Sequence, residues 1–478
     1  MAQMLIGGEW VGSRSGNSIE VINPATGEAV DTAPRGTAED VREAIDAAQT
    51  AFADWSEWTQ AKRAEVLHRV VALVRLHETE LATLLTREQG KPLREATLEI
   101  RRYAYTIEYY AGLGKNIRGG YIPQIDENKY GLIIKRPLGV VGAIVPWNFP
   151  VSLMGNKIGP ALLAGNTMVI KPAETTPLTD LQVVGLFFEA GLPKGALNVV
   201  TGQGSVVGEE IVTNPKVRKI GFTGSTEVGR RVMASAAQGI KRVTLELGGS
   251  DPMIVCDDAD IDEAVKAAAT GRFFNCGQAC LAIKRLYLFE SIADEFTAKL
   301  VARAKKLRVG NGMTEGTIIG PLHSASQRDE VEAQVQDAVD RGARVLAGGE
   351  RLRGGDLDRG YFYAPTLLDD VPEDARVATE EVFGPALPIF RVTNLDEAIG
   401  KANDSIFGLG SSIWTNDLNR ATRAAERIEA GYTWINSPQV IYDELPFGGF
   451  KQSGLGKEHG IEALDYYTET KSVVVATK

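Results

Sequence analysis

Between residues 37 and 110 polar and apolar positions recur with the period of a helix. Thr37-Ala-Glu-Asp40 reads as a capping box, and Val41, Ile45, Ala48 and Phe52 follow at helical spacing, so this stretch is predicted to be helical scaffold. From residue 139 the pattern changes to short β-branched runs, VVGAIVP, NTMVIKP, ALNVV, KIGFTG and RVTLEL, each separated from the next by a helical stretch. Parallel strands need a crossover, and helices of about ten to fifteen residues supply it while burying both sheet faces. A doubly wound α/β unit is therefore expected here. The alternation resumes in PMIVC, KRLYLF and ARVLAGG around helical segments such as Ile292–Leu307, which predicts a second α/β unit beyond a boundary near residue 247. Gly119–Lys135 and Tyr466–Lys478 fit neither unit and read as extended segments available to a neighbouring subunit, whereas DLDRGYFYAP reads as a loop.

A chain of 478 residues is long enough for more than one structural unit. Its net charge of −10 and pI near 5.2 repel phosphate backbones, and Lys and Arg do not cluster among aromatics, so nucleic acid is not the expected partner. No apolar run approaches the length that spans a bilayer. The N-terminal MAQMLIGGEW lacks the layout of a secretory signal, so the expected location is cytoplasmic. Cys256, Cys276 and Cys280 are an odd number of thiols, which fits a reducing compartment and points to chemistry rather than cross-linking. The four histidines, at 68, 77, 323 and 459, lie far from one another and from cysteine, so no metal is expected.

In KIGFTGSTEVGRR a strand runs into Gly224-Ser-Thr-Glu-Val-Gly229 and the start of a helix, where free amides and the dipole favour a pyrophosphate and Ser225 can donate a hydrogen bond. Arg230 and Arg231 follow the second glycine where a P-loop needs Lys then Ser or Thr, which disfavours ATP. Gly202-Gln-Gly-Ser-Val-Val-Gly208 misses the dinucleotide fingerprint by one residue and suits an ordinary tight turn equally well. In Phe273-Phe-Asn-Cys-Gly-Gln-Ala-Cys280 a thiol lies in a loop before a strand; taken alone, Cys280 suits a small core residue better than a nucleophile. Glu246, in Leu245-Glu246-Leu247-Gly248-Gly249, closes an apolar strand just before glycines that leave it room. A carboxylate is costly there without a role, and such settings raise its pKa towards that of a useful base. Pro146-Trp-Asn-Phe-Pro150 places the Asn148 amide just beyond a strand's carboxyl end, where open α/β sheets bind ligands.

Taken together, PWNFP at 146–150, KPAE at 171–174, FTGSTEVG at 222–229, LELGG at 245–249, NCGQAC at 275–280, EVFGP at 381–385 and PFGGFKQSG at 446–454 resemble the aldehyde dehydrogenase superfamily over nearly the whole chain. The resemblance implies its α/β fold: a Rossmann-like cofactor domain at 1–118 and 139–247, an oligomerisation arm at 119–138, a catalytic domain at 248–449, and a segment at 450–478 completing the oligomerisation region. It implies oxidation of an aldehyde to a carboxylic acid, with Cys280 rather than Cys276 as nucleophile. Asn148 and the Cys280 backbone N–H would hold the oxyanion, and Glu246 would activate water against the thioester. Lys157 matches a lysine near the active centre, although a surface position suits it nearly as well.

The same resemblance assigns NAD, with NADP possible, to Lys171 and Glu174 at the adenine ribose. Ser225 and Trp147 fall at the pyrophosphate and Glu381 with Phe383 at the nicotinamide ribose; Pro146, Gly204, Gly208, Phe222 and Gly224 complete the cleft. Without the resemblance, Lys171 and Glu174 read as a solvated surface pair and Phe383 as core. It also implies a homodimer or homotetramer and an aldehyde entrance lined by Phe149, Leu153, Asn156, Ala279, Leu281, Ile441 and Tyr442, suited to a small or hydroxylated aldehyde. Asn156 stands where semialdehyde oxidisers often carry an arginine, which lowers succinate semialdehyde unless Arg285 compensates; the motifs are also similar to those of glyceraldehyde and lactaldehyde oxidisers. The alternatives are a CoA-acylating enzyme, which commonly lacks the counterpart of Glu246, and an idle family member serving as a binding protein.

Overall fold

The computed structural model describes residues 1–477. Four helices, Ala38–Trp55, Gln60–Leu76, Glu78–Gln89 and Leu93–Gly112, fill the region predicted to be helical. The first begins with the capping box: Thr37 Oγ1 accepts from the Asp40 amide while the Asp40 carboxylate accepts from the Thr37 amide. Val41, Ile45 and Ala48 are fully buried and anchor this helix against the first sheet.

That sheet holds eight strands, in the order Glu9–Val11, Met4–Ile6, Leu197–Val199, Thr167–Lys171, Val140–Ile144, Val217–Thr223, Arg242–Glu246 and Gly454–Leu455. The five strands from Leu197–Val199 to Arg242–Glu246 are mutually parallel. Sequence order reverses on either side of Val140–Ile144, so this strand marks the point at which an open sheet leaves a crevice at its carboxyl edge. A second sheet orders Arg344–Ala347, Thr366–Asp369, Ala386–Val392, Ile283–Phe289, Asp251–Val255, Gly410–Trp414 and Tyr432–Ile435. All its pairings are parallel except that of the edge strand Arg344–Ala347. Each sheet has its own apolar core, the first divided between its two faces.

The two extended segments that fitted neither unit pair with each other within one chain. Thr468–Ala476 runs antiparallel to Lys129–Pro137, which pairs with Gly120–Asp126. The remainder of the C-terminal segment goes elsewhere: Gly454–Leu455 pairs with the strand carrying Glu246, and Phe450–Lys451 pairs with Phe407–Gly408. The C-terminal segment therefore reaches the strand that ends on Glu246 before it reaches the strand Lys129–Pro137. No helix among the described residues is long and apolar enough to cross a membrane.

Candidate active site

The carboxyl edge of the first sheet gathers residues that the sequence distributes widely. Val140–Ile144 leads into Pro146-Trp147-Asn148, Thr167–Lys171 into Glu174, Val217–Thr223 into Gly224 and Ser225, and Arg242–Glu246 ends on Glu246. Ser225 caps the helix Thr226–Ala237, accepting from the Val228 amide. Gly204 has open space where a side chain would project, and a Cβ at Gly208 would touch Ile144 and Lys171 at 3.6 Å. Phe222 is buried beside this cleft, and its ring would lie 2.6 Å from a Cβ at Gly224. A helix N-terminus, a smooth glycine surface and a topological switch point suit a dinucleotide. Lys171 is buried rather than a solvated surface residue and donates to the Pro172 carbonyl at 2.9 Å. Burial pulls its pKa down to about 8 against the opposing charge of Glu174. Trp147 stacks on His323 with centroids 4.4 Å apart and meets Phe383 edge-on at 5.6 Å, which aligns the wall between the two sheets.

Asn148 is held from several sides. Its carbonyl accepts from Lys91 Nζ at 2.7 Å and from Asn275 Nδ2 at 2.9 Å, and its own Nδ2 donates to the Gln278 carbonyl at 3.1 Å. The following helix, Pro150–Leu163, has no side-chain cap of its own; Glu99 supplies one by accepting from the Val151 and Ser152 amides at 3.1 and 3.2 Å. Glu99 also pairs with Lys91, and both are buried. One turn earlier on the same helix, Glu95 accepts from the Asn275 amide at 2.9 Å. Asn275 and Cys276 adopt positive φ of 49° and 56°, so the bend before Cys280 is a strained conformation maintained by its neighbours. Arg272, fully buried, adds bonds to the Ile283, Gly277 and Val382 carbonyls, tying the thiol loop to the segment carrying Glu381 and Phe383.

Cys280 is half-buried against an aromatic cluster of Tyr432, Trp434 and Phe447, with Leu281 and Ile441 on the same surface. Burial pushes its thiol up to about 12, with Lys284 opposing the shift. Cys276 is only 1% exposed and its thiol is raised further still. Glu246 is 4% exposed, and neither carboxylate oxygen has a hydrogen-bond partner. Burial first, and the charge of Glu458 second, push its pKa well above the usual range, with Lys157 and Lys457 opposing them. An unpartnered buried carboxyl has little structural use, and its ionised form can accept a proton from water.

Lys157 is fully buried, which excludes the surface alternative, and it bonds Glu458 Oε1 and Thr223 Oγ1, both at 2.7 Å. Asn156 turns inward and donates to Glu458 Oε2 at 3.2 Å. Arg285 cannot compensate for a missing substrate clamp. Its guanidinium is spent on the Ser250, Lys401 and Ala402 carbonyls and the Tyr287 hydroxyl. Of the expected entrance residues, Phe149 stacks on Phe274 with centroids 6.0 Å apart, and Tyr442 is half exposed. Glu458, Lys91, Glu95, Glu99, Phe274, Tyr432, Trp434 and Phe447 escaped the sequence reading. Phe274 and Phe447 lie inside motifs already singled out, and Glu458 follows PFGGFKQSG as the next acidic residue.

Residues 10–473 match the sequence model of the Aldehyde dehydrogenase family. The chain belongs to that family. The succinate-semialdehyde dehydrogenase [NADP(+)] GabD of Escherichia coli is 44% identical over 99% of this chain and 97% of its own length. The glutarate-semialdehyde dehydrogenase of Pseudomonas putida is 45% identical over 99% and 98%. Among solved structures, betaine aldehyde dehydrogenase from Staphylococcus aureus in complex with NAD+ superposes with a TM-score of 0.98 at 37% identity, covering 100% of this chain and 95% of that one. The aldehyde dehydrogenase fold expected from the motifs is therefore the fold of this chain, and the enzyme is an NAD(P)-dependent oxidoreductase acting on aldehydes.

Proposed function

We propose that this aldehyde dehydrogenase converts an uncharged aldehyde to its free carboxylic acid through a thioester on Cys280, with Glu246 as the base for hydrolysis. The observation that carries the reading is the Glu246 carboxyl, buried at the sheet edge beside the thiol loop with both oxygens unpartnered. A CoA-acylating enzyme must keep water from the thioester, and a buried base held ready there works against that. Cys280 sulfur adds to the carbonyl carbon, forming the C–S bond and moving the π electrons onto oxygen. The Asn148 side-chain amide retains one N–H beyond its bond to Gln278, and this donor with the Cys280 backbone N–H steadies the oxyanion. When bound, NAD(P) supplies the hydride acceptor, and the thioester remains on Cys280. Glu246 then removes a proton from water as its oxygen attacks the acyl carbon; the C–S bond breaks and the thiolate is restored. Lys157 and Glu458 act behind Glu246 by setting the charge around it.

The dinucleotide lies across Pro146, Trp147, Phe222, Gly224 and Ser225, with Gly204 and Gly208 leaving room for it. Lys171 and Glu174 take the adenine ribose, and Glu381 with Phe383 the nicotinamide ribose. The relatives named for succinate and glutarate semialdehydes act on aldehydes with a carboxylate at the far end. Here Asn156 faces Glu458, Arg285 is occupied by carbonyls, and Arg102 beside the Tyr442 loop is matched by buried Asp443 at 2.8 Å. The wall presented to the aldehyde is aromatic and aliphatic. The exposed apolar residues of the arm, Tyr121, Ile122, Ile125 and Val474, favour a homo-oligomer, which light scattering at more than the 51.5 kDa of one chain would register. Purified enzyme tested on a panel of aldehydes, with and without CoA, should form NADH and free acid in the absence of CoA. Turnover that requires CoA, or none at all, contradicts the reading.

A further inference from the structure

Lys284 lies on the strand that follows Cys280, with its side chain fully buried, and the reaction above leaves it without a task. Its ammonium contacts the Cys280 carbonyl at 2.6 Å, the Ala279 carbonyl at 3.0 Å and Glu381 Oε1 at 3.2 Å. Glu381 also accepts from the Gly249 amide at 3.1 Å. Asp251, likewise buried, accepts from the Gly410 amide through Oδ1 and leaves Oδ2 unpartnered. A Cβ at Gly249 would lie 2.8 Å from the Cys280 carbonyl and 3.0 Å from Asp251 Oδ1, so these groups converge on one glycine. A neutral donor could satisfy two carbonyls. Burying an ammonium is costly, and beside its ion pair with Glu381 it sets a positive charge against the Cys280 backbone.

The charged groups whose fields reach Cys280 are Lys284, Asp251, Glu381 and Glu246, and of these Lys284 touches the Cys280 backbone. Only the first is a cation, and carboxyls around a buried thiol resist its ionisation. We propose that Lys284 positions the Cys280 loop against Glu381 and supplies the positive field that stabilises the Cys280 thiolate, with Asp251 opposing it. The proposal rests on Cys280 being the nucleophile. It makes the balance between Lys284 and Asp251 the control on thiolate supply, while Asn148 serves the oxyanion and Glu246 the hydrolytic water.

The test uses the whole, cofactor-free enzyme and reads the rate of Cys280 alkylation by iodoacetamide through peptide mass spectrometry. At pH 9 Lys284→Met should slow alkylation by about tenfold, as a change of about one pK unit requires, and Asp251→Asn should quicken it by a similar factor. Lys284→Arg, which keeps the charge, should stay within about threefold of wild type. Burial pushes Asp251 up to about 7 against the opposing charge of Lys284, so the gain from Asp251→Asn should fade below pH 6, where the native carboxyl is already protonated. A merely structural role for Lys284 predicts that Lys284→Met and Lys284→Arg slow alkylation alike at every pH while Asp251→Asn brings no gain, and that pattern overturns the proposal. Should Lys284→Met fail to fold, the sign and pH dependence of the Asp251→Asn effect decide it. Wild type that resists alkylation at Cys280 while Cys276 reacts would instead overturn the choice of nucleophile.

Discussion

The Lys91 ammonium donates to the Asn148 carbonyl at 2.7 Å while paired with Glu99, so one buried charge fixes the turn that carries Asn148, the proposed oxyanion donor. Lys91 also lies 4.0 Å from the centre of the Phe149 ring, next in sequence to Asn148. Breaking a buried pair leaves an uncompensated charge and costs about 3–5 kcal/mol. Lys91→Met should therefore lower the thermal midpoint. It should also reduce kcat by about a hundredfold while leaving cofactor affinity within a few fold, because the displaced group serves the oxyanion and not the dinucleotide. Steady-state kinetics with cofactor titration checks this, and a loss confined to KM for NAD would place Lys91 elsewhere in the mechanism.

The two cysteines of the thiol loop should separate cleanly. Cys276 is sealed in the core with its thiol further raised by burial, whereas Cys280 reaches the aromatic surface. Cys280→Ala should abolish NADH formation and leave NAD binding intact, and Cys276→Ala should retain most activity. NADH assays beside calorimetric titration distinguish them; reversed results would reassign the nucleophile.

Substrate charge is the next prediction, because the proposed preference differs from the substrates for which the relatives are named. With Arg285 committed to carbonyls and Arg102 matched by Asp443, a carboxylate at the far end of the aldehyde meets no free cation on the residues assigned to the entrance. Desolvating it without a partner is costly. The enzyme should therefore prefer butyraldehyde or another uncharged aldehyde of similar length to succinate semialdehyde by about tenfold or more in kcat/KM. Measuring both aldehydes at saturating cofactor decides it, and a preference for the semialdehyde would mean that a cation reaches the entrance by rearrangement.

NAD should be preferred to NADP. The Glu174 carboxylate can accept from both ribose hydroxyls but would face a 2′-phosphate as a like charge. Lys171 is bonded to the Pro172 carbonyl, which limits how far its ammonium offsets that repulsion. Glu174→Gln should improve kcat/KM for NADP relative to NAD. Equal use of both cofactors, unchanged by the substitution, would remove Glu174 from the choice.

The sequence made the strands legible as local signals, whereas the roles expected at their ends came from the motifs taken together, since Cys280 alone suits a core residue better. β-branched runs set the parallel sheet, and Asn148, Glu246 and Cys280 each sit in a short motif. What supports them was hidden, since Lys91, Glu95, Glu99 and Lys284 are charged residues that composition assigns to the surface. Only pairing reveals them as buried, and the Lys157–Glu458 bond joins positions 301 residues apart. The extended arm was recognised as a misfit, but its first partner is its own chain, because Thr468–Ala476 completes a sheet with Lys129–Pro137.

The most direct test of the account is the burst stoichiometry of Glu246→Gln. With the carboxyl replaced by an amide, Cys280 can still form the thioester, but no base remains to activate water. On mixing with aldehyde and NAD, the variant should release about one NADH per active site, then fall to less than about a hundredth of the wild-type steady rate, consistent with the 10²–10⁴-fold worth of a general base. The acyl group should be found on Cys280 by mass spectrometry. A variant that turns over at the wild-type rate, or one that shows no burst and no adduct, would contradict the division of labour between Cys280 and Glu246.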